Sequence, residues 1–196
     1  MKVIAINGSA RKDGNTGIIL NKVLSELKKE GIETELIQLG GVEISPCKAC
    51  WACGGKGNCV HRNDCFSEIF EKMKKADGIL LGSPVYSANV SANMQALLER
   101  SAVVADMNPG LFTHKVGAAV AAVRRAGGIQ AVDTMNHFFL NHEMFVAGSV
   151  YWNMVYGQMP GDVEADAEGI SNMQNLGRNM AFLLKALEGQ NNENQA

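Results

Sequence analysis

Four of the five cysteines in this 196-residue chain fall within thirteen positions, as Cys47-x-x-Cys50-x-x-Cys53 followed by Cys59. Thiols at this density point to a metal or redox centre, because core packing alone does not require them. Zinc sites usually take two C-x-x-C knuckles separated by a dozen or more residues, so that the pairs converge tetrahedrally. This run is too tight for that pattern. A cuboidal iron–sulfur cluster needs a thiolate at each of four corners; successive C-x-x-C steps supply three, and the longer gap lets Cys59 swing round. Gly54, Gly55 and Gly57 ease the turn, and Lys48, Lys56 and Arg62 offset the negative charge of an all-cysteine site. The leading reading is a cluster on Cys47, Cys50, Cys53 and Cys59, with zinc and a metal-free thiol loop as alternatives. Cys65 is read as a small apolar residue near a helix start, and Trp51 as a shield against water or a contact for a partner subunit.

A second constellation is the loop Gly8-Ser9-Ala10-Arg11-Lys12-Asp13-Gly14-Asn15-Thr16. Small and hydroxyl residues leave backbone N–H groups accessible where a helix begins, and an anion is favoured at that end. Ser9, Arg11, Asn15 and Thr16 add side-chain donors suited to one phosphate monoester. The second and third glycines of G-x-G-x-x-G are missing, and Asn15 stands where a P-loop would put lysine. FMN therefore suits this loop better than NAD or FAD; the plain alternative is a polar turn with Asn15 as helix cap.

Two further loops join it. Ser83-Pro84-Val85-Tyr86-Ser87-Ala88-Asn89 can offer amides around Val85 to Ser87 to the polar edge of a flat heterocycle, with Tyr86 beside the ring. Pro84 merely ending a strand is the alternative. Arg124-Arg125-Ala126-Gly127-Gly128 reads equally as a closure over the pyrimidine side of a flavin or as a turn with two solvated arginines.

Other chemistries find no support. His61, His114, His137 and His142 form no H-E-x-x-H or H-x-x-E-H pair, Gly-x-Ser-x-Gly is absent, and no general acid or base is assigned. A net charge of −2 with scattered Lys and Arg excludes a basic field for nucleic acid. No apolar run approaches the roughly 20 residues of a membrane span, and the apolar start is too short for a signal peptide, so a cytoplasmic protein is expected.

The elements that must position these loops are short apolar runs alternating with amphipathic stretches, the pattern of parallel strands joined by helical crossovers. Strands are expected near Lys2–Ile6, Glu33–Leu39, Gly78–Gly82, Val116–Ala122 and Met144–Val150. Helices are expected near Thr16–Glu30, closing on Gly31, and near Phe66–Lys75, Ser91–Val104, Ile129–Asn141 and Asp166–Leu187. With 46% apolar residues the chain suits one α/β domain over 1–188, and its five β/α units suit a five-stranded doubly wound sheet, flavodoxin-like in order 2-1-3-4-5 rather than dinucleotide-binding because the first loop lacks the second and third glycines of G-x-G-x-x-G. The cysteine-rich loop 46–65 would follow the second strand, and a polar, disordered tail would occupy 189–196.

Together, Gly8-Ser9-x-Arg11…Gly14-Asn15-Thr16, Ser83-Pro84-Val85-Tyr86 and the Cys47/Cys50/Cys53/Cys59 run resemble the iron–sulfur flavoproteins. These form part of the NAD(P)H-dependent FMN reductase branch of the flavodoxin-like superfamily. The resemblance implies FMN and a 4Fe-4S cluster as cofactors. It implies that Ser9, Arg11, Asn15 and Thr16 hold the FMN phosphate, that Pro84, Val85, Tyr86 and Asn89 line the isoalloxazine and ribityl chain, and that Arg124, Gly127 and Gly128 belong to the third flavin loop. It implies a homodimer or homotetramer, with a ferredoxin-like carrier or NAD(P)H as electron donor. Ala10 departs from the family's frequent proline, and Cys65 is an extra thiol. The function read from all this is an FMN-dependent oxidoreductase relaying electrons between cluster and flavin. The alternatives are an NAD(P)H-dependent FMN or quinone reductase without a cluster, and a flavin-binding redox sensor.

Overall fold

The computed structural model describes the backbone of residues 1–193 and the side chains of residues 1–188; the tail expected at 189–196 lies mostly outside the described residues. Six strands, β1 (Lys2–Asn7), β2 (Glu33–Gln38), β3 (Gly78–Pro84), β4 (Val116–Val123), β5 (Phe145–Val146) and β6 (Met154–Tyr156), form one sheet. Five α-helices, α1 (Asn15–Lys29), α2 (Phe66–Lys75), α3 (Ala92–Asp106), α4 (Gly128–Asn141) and α5 (Ala167–Glu193), cross over between and after them. All pairings are parallel, and the order is β2-β1-β3-β4-β5, with β6 also on β4.

Alternate residues of the central strands face opposite helical layers. Val3, Ala5, Leu80, Val116, Ala118 and Val120 pack under α1 and α5 through Ile19, Val23, Leu27, Met173, Met180 and Leu184. Ile4, Ile6, Ile79, Leu81, Ala119 and Ala121 pack under α2, α3 and α4 through Phe66, Phe70, Leu97, Met135 and Phe139. Covering both faces explains why these strands read as nearly continuous apolar runs. Helix α1 ends as its sequence suggests: Gly31 sits at φ 78°, its N–H meets the Lys28 carbonyl, and the Ile32 N–H meets that of Leu27.

The expected fifth strand over Met144–Val150 is corrected. Only Phe145–Val146 pairs with the start of β4; the chain leaves the sheet after Ala147 and returns as Met154–Tyr156 beside the end of β4. Ser149 provides the reason, because its single hydroxyl proton is shared between the Tyr151 carbonyl at 2.7 Å and Asn153 Oδ1 at 2.8 Å, a local alternative to the sheet ladder. Asn179 on α5 holds the Gly148 carbonyl, and Val150, Tyr151 and Trp152 project into solvent.

Candidate functional site: two loop systems at one end of the sheet

The strand order reverses between β1 and β3, and ligands in open α/β sheets bind outside the carboxyl ends at that point. Three loops converge there. The Gly8 N–H donates to the Gly82 carbonyl at 2.7 Å, and the Ser91 hydroxyl donates to the Gly8 carbonyl at 2.6 Å while capping α3. Gly127, at φ 84°, lies so close to the β3 loop that an added Cβ would stand 2.8 Å from Ala88 Cα and from Val85 Cγ1. The structure thus brings together the loops carrying Ser9 to Thr16, Pro84 to Asn89 and Arg124 to Gly128.

In the first loop, the buried Ser9 donates its N–H to Asn7 Oδ1, and its hydroxyl oxygen accepts the Arg11 N–H. Asn7 in turn donates to Gln38 on β2, which holds the Ser9 carbonyl. Gln38 is a brace that the sequence did not single out. Helix α1 begins after Gly14 with no side-chain cap and no acidic residue in its first turn. Among the described residues no acceptor takes the N–H groups of Asn15, Thr16 and Gly17, and the Thr16 hydroxyl has no partner. Free donors at an uncapped helix start, flanked by Ser9, are the chemistry an anionic phosphate requires. The side chain of Asn15 is engaged elsewhere, since its Nδ2 donates to the Met159 carbonyl and its Oδ1 accepts the Gly161 N–H, latching the loop before α5. Arg11 is exposed and without a carboxylate partner among the described residues.

The β3 loop is a two-residue hairpin. Tyr86 and Asn89 exchange both backbone hydrogen bonds across Ser87 and Ala88, at φ 49° and 61°. Paired left-handed residues make this the type I′ geometry, usually Asn-Gly, so Ser-Ala carries strain of the kind found at ligand clamps. The Val85 N–H is taken by the Ala122 carbonyl and the Tyr86 N–H by the Asn89 carbonyl, while the amides of Ser87 and Ala88 have no acceptor among the described residues. Tyr86 is exposed, Asn89 Oδ1 accepts from Thr134 on α4, and Arg124 and Arg125 are exposed.

The cysteine system lies beside α3. Cys47, Cys50, Cys53 and Cys59 all line one small cleft of about 20 Å³, together with Trp51, Val60, His61 and Arg100; Cys65 does not. Cys53 and Cys59 are buried, Cys47 is half-buried, and Cys50 is exposed with its sulfur 3.6 Å from His61 Nε2. Burial pushes the Cys53 thiol up, and the neighbouring Cys59, Cys47 and Cys50 add to this against a local backbone hydrogen bond. Among the described residues, no three His, Cys, Asp or Glu side chains already stand as a metal-ligand set. The backbone around them is of the kind that holds anionic centres: Ala49, Trp51, Gly55 and Gly57 are left-handed, and the Ala49 N–H points to Cys47 Sγ at 3.4 Å. Four thiols in one cleft with such a backbone supply the donor set of a four-thiolate cluster. Trp51 remains 58% exposed and so does not seal the cleft within one chain.

Besides short-range bonds such as Gly54 N–H to the Trp51 carbonyl and Lys56 N–H to the Cys53 carbonyl, this loop and the segment leading into it are pinned by side chains from elsewhere in the fold. Asn93 holds the carbonyls of Leu39 and Val42, Glu99 accepts the Cys47 N–H, and Asn108 bonds the Cys53 carbonyl and the Gly57 N–H. Lys74 donates to the Gly57 carbonyl and pairs with Glu71, which sits below the usual carboxylate range because of that ammonium. The buried pair Arg100–Asp64 lies at the loop's base. Burial alone would raise the Asp64 carboxyl, but bonds from the Ser45 N–H, Arg100 and the Phe66 N–H outweigh it and hold it low.

The sequence profile described as NADPH-dependent FMN reductase matches residues 1–158. The chain belongs to that family. Within it, an iron–sulfur flavoprotein of Methanocaldococcus jannaschii is 40% identical over 96% of this chain and 100% of the relative, so the chain stands among the iron–sulfur flavoproteins. Two solved structures share the fold. One is RosB with a bound 8-demethyl-8-formylriboflavin-5'-phosphate intermediate, at TM-score 0.76 and 18% identity over 96% of this chain and 81% of that one. The other is a flavodoxin from the domain Archaea, at TM-score 0.62 and 16% identity over 94% and 99%. The protein is a flavin-dependent oxidoreductase with FMN as its family's flavin. Among the described residues, no helix is long and apolar enough to cross a membrane.

Proposed function

We propose that this oxidoreductase works with two centres: FMN on the loops after β1, β3 and β4, and a 4Fe-4S cluster on Cys47, Cys50, Cys53 and Cys59. The observation that carries the reading is the shared cleft, which takes in those four thiols and leaves out Cys65. When bound, FMN exchanges electrons in pairs or singly and the cluster exchanges them singly, so the two together can link carriers of different stoichiometry. The chain supplies binding and orientation. Ser9, Thr16 and the first-turn amides of α1 bind the phosphate, Arg11 adds charge, and Asn15 latches the neighbouring loop and keeps a second amide hydrogen for the phosphate. Pro84, Val85, Tyr86 and Asn89 flank the ring and ribityl chain, with Gly127 and Gly128 permitting the close approach of the third loop and Arg124 at its rim.

A ferredoxin-like carrier or NAD(P)H as donor, a homodimer or homotetramer, and a cytoplasmic site of action complete the proposal. A cluster-free NAD(P)H-dependent FMN or quinone reductase is the second reading, favoured by the match over residues 1–158 to the family described as NADPH-dependent FMN reductase. Purification without oxygen, followed by iron and sulfide counts and parallel titration with NADPH and reduced ferredoxin, tests both. About four iron and four sulfide per chain support the first reading. Zinc or no metal, with fast hydride transfer from NADPH, would establish the second.

A further inference from the structure

The cysteine loop has no ladder of its own, so its shape depends on how its two ends are held. Ser45 stands two residues before Cys47, and His61 two residues after Cys59. One side chain spans both. Arg100, on the buried side of α3 and 3% exposed, donates from Nη1 to Asp64 Oδ2 at 2.6 Å and to the Ser45 carbonyl at 3.3 Å. Its Nη2 donates to the His61 carbonyl at 2.5 Å, and the guanidinium lies 4.2 Å above the Phe66 ring. Asp64 repeats the bridge on the other side, accepting the Ser45 N–H at 2.9 Å and the Phe66 N–H at 3.2 Å.

We propose that Arg100, acting with Asp64, is the positioning residue that closes the cysteine loop by tying its two ends together, so that the four thiols between them reach the cluster as one set. The inference rests on the cluster reading of the loop. A buried ion pair is weak evidence for stability as such, because apolar side chains of similar volume often serve a core as well. What this pair supplies that an apolar core does not is a planar fork with donors in several fixed directions, meeting three acceptors on both ends of one loop. A lysine ammonium keeps the charge and loses the fork. Four ligands on an irregular loop must arrive together, and a loop with free ends pays the closure entropy each time. Left-handed Ala49 and Trp51 make the intervening segment harder to hold without fixed ends.

The test uses full-length protein reconstituted without oxygen, as wild type, Arg100→Met, Arg100→Lys and Asp64→Asn. Four readouts are taken: iron and sulfide, the visible and paramagnetic signatures of the reduced cluster, FMN per chain, and amide hydrogen exchange of the metal-free protein. In Arg100→Met, FMN content and cooperative melting persist, iron is released to a chelator roughly 10–100-fold faster, as for other residues that orient metal ligands, and exchange quickens over 45–61 but not over 8–16. Arg100→Lys falls between the two, with an altered cluster signature. Wild-type release and exchange in Arg100→Met, or in Arg100→Lys where the methionine variant does not fold, overturns the assignment. So does equal loosening of both loops. Wild-type protein without iron or sulfide sinks the cluster reading instead, and the exchange pattern then still decides whether Arg100 closes the loop.

Discussion

The two loop systems at this end of the sheet are built in opposite ways. The proposed phosphate loop is a short turn between β1 and α1 with a local frame, Ser9 bonding Asn7 and Arg11, to which Gln38, Ser91 and the loop before α5 add single braces. The cysteine loop lies in the long connection from β2 to α2, and its anchors come from far along the chain, above all Asn93, Glu99, Arg100 and Asn108 on or just after α3. The short turn carries most of its geometry in its own residues. The long irregular loop carries its thiols in its own residues and takes more of its geometry from distant ones.

The sharpest way to break the comparison is to change one loop and watch the other. Cys53→Ala removes a buried thiol of the shared cleft, so iron and sulfide are expected to fall to background while FMN per chain stays within about twofold of wild type. Cys65→Ala, outside the cleft, leaves both cofactors in place. Loss of FMN with the cluster in Cys53→Ala, measured by flavin release and absorbance, would mean that the two systems fold as one.

Next in size is the junction of the flavin loops. Gly127→Val forces a β-branched residue to φ 84° and sets its Cβ against the Ala88 backbone. A cost of about 1–3 kcal/mol is expected from the strain alone, read as a lower melting temperature, and FMN affinity should drop while iron retention does not. Ser91→Ala removes the cap of α3 and the bond to the Gly8 carbonyl. About 1 kcal/mol is expected for the cap, and because α3 also carries Arg100, this variant alone should disturb both loops slightly. A melt unchanged from wild type would show that Ser91 couples nothing.

Much of the molecule is legible in the sequence, and the reasons differ by element. The runs at Val3–Ile6, Ile79–Leu81 and Val116–Val123 are buried on both faces and therefore continuously apolar, so the strand positions follow, while the 2-1-3-4-5 order is legible only through the loop after β1, which lacks the second and third glycines of a dinucleotide-binding turn. The grouping of Cys47, Cys50, Cys53 and Cys59 is visible because ligand spacing is itself local. Arg100, Asp64, Asn108 and Gln38 are not, since a polar residue inside a helix or at a strand end gives no sign of the backbone carbonyl it will meet. The fifth strand is overextended by sequence because the apolar start Met144-Phe145-Val146 carries the expectation through to Val150, across Gly148, a weak strand former, and Ser149, which satisfies its surroundings locally. In the sequence, position alone suggests Asn15 as a phosphate donor, whereas its latch to Met159 and Gly161 depends on residues 144 and 146 positions away, which no local pattern announces.

Asn15→Ala separates those two roles with a smaller effect. If the latch dominates, FMN binding weakens by a few-fold, on the scale of about 1 kcal/mol for one lost hydrogen-bonding side chain, and exchange quickens at 157–161. A tenfold or greater loss with no change at 157–161 would return Asn15 to direct phosphate binding.

The smallest expected effect concerns acid. Asp64 is held below its ordinary carboxylate value in the folded chain, so the stability it contributes is fully present above about pH 4, the unfolded value, and is lost only as pH falls through the lower folded value. Between pH 7 and pH 5 the clamp should therefore not weaken, and amide exchange over 45–61, corrected for its intrinsic pH dependence, should keep the same protection. The phosphate loop contains no carboxylate in its anchoring set, so it offers the internal reference in the same experiment. Loosening of 45–61 relative to 8–16 already at pH 5 would show that Asp64 takes up a proton far above the value its three hydrogen bonds allow, and the base of the cysteine loop would then need a different anchor.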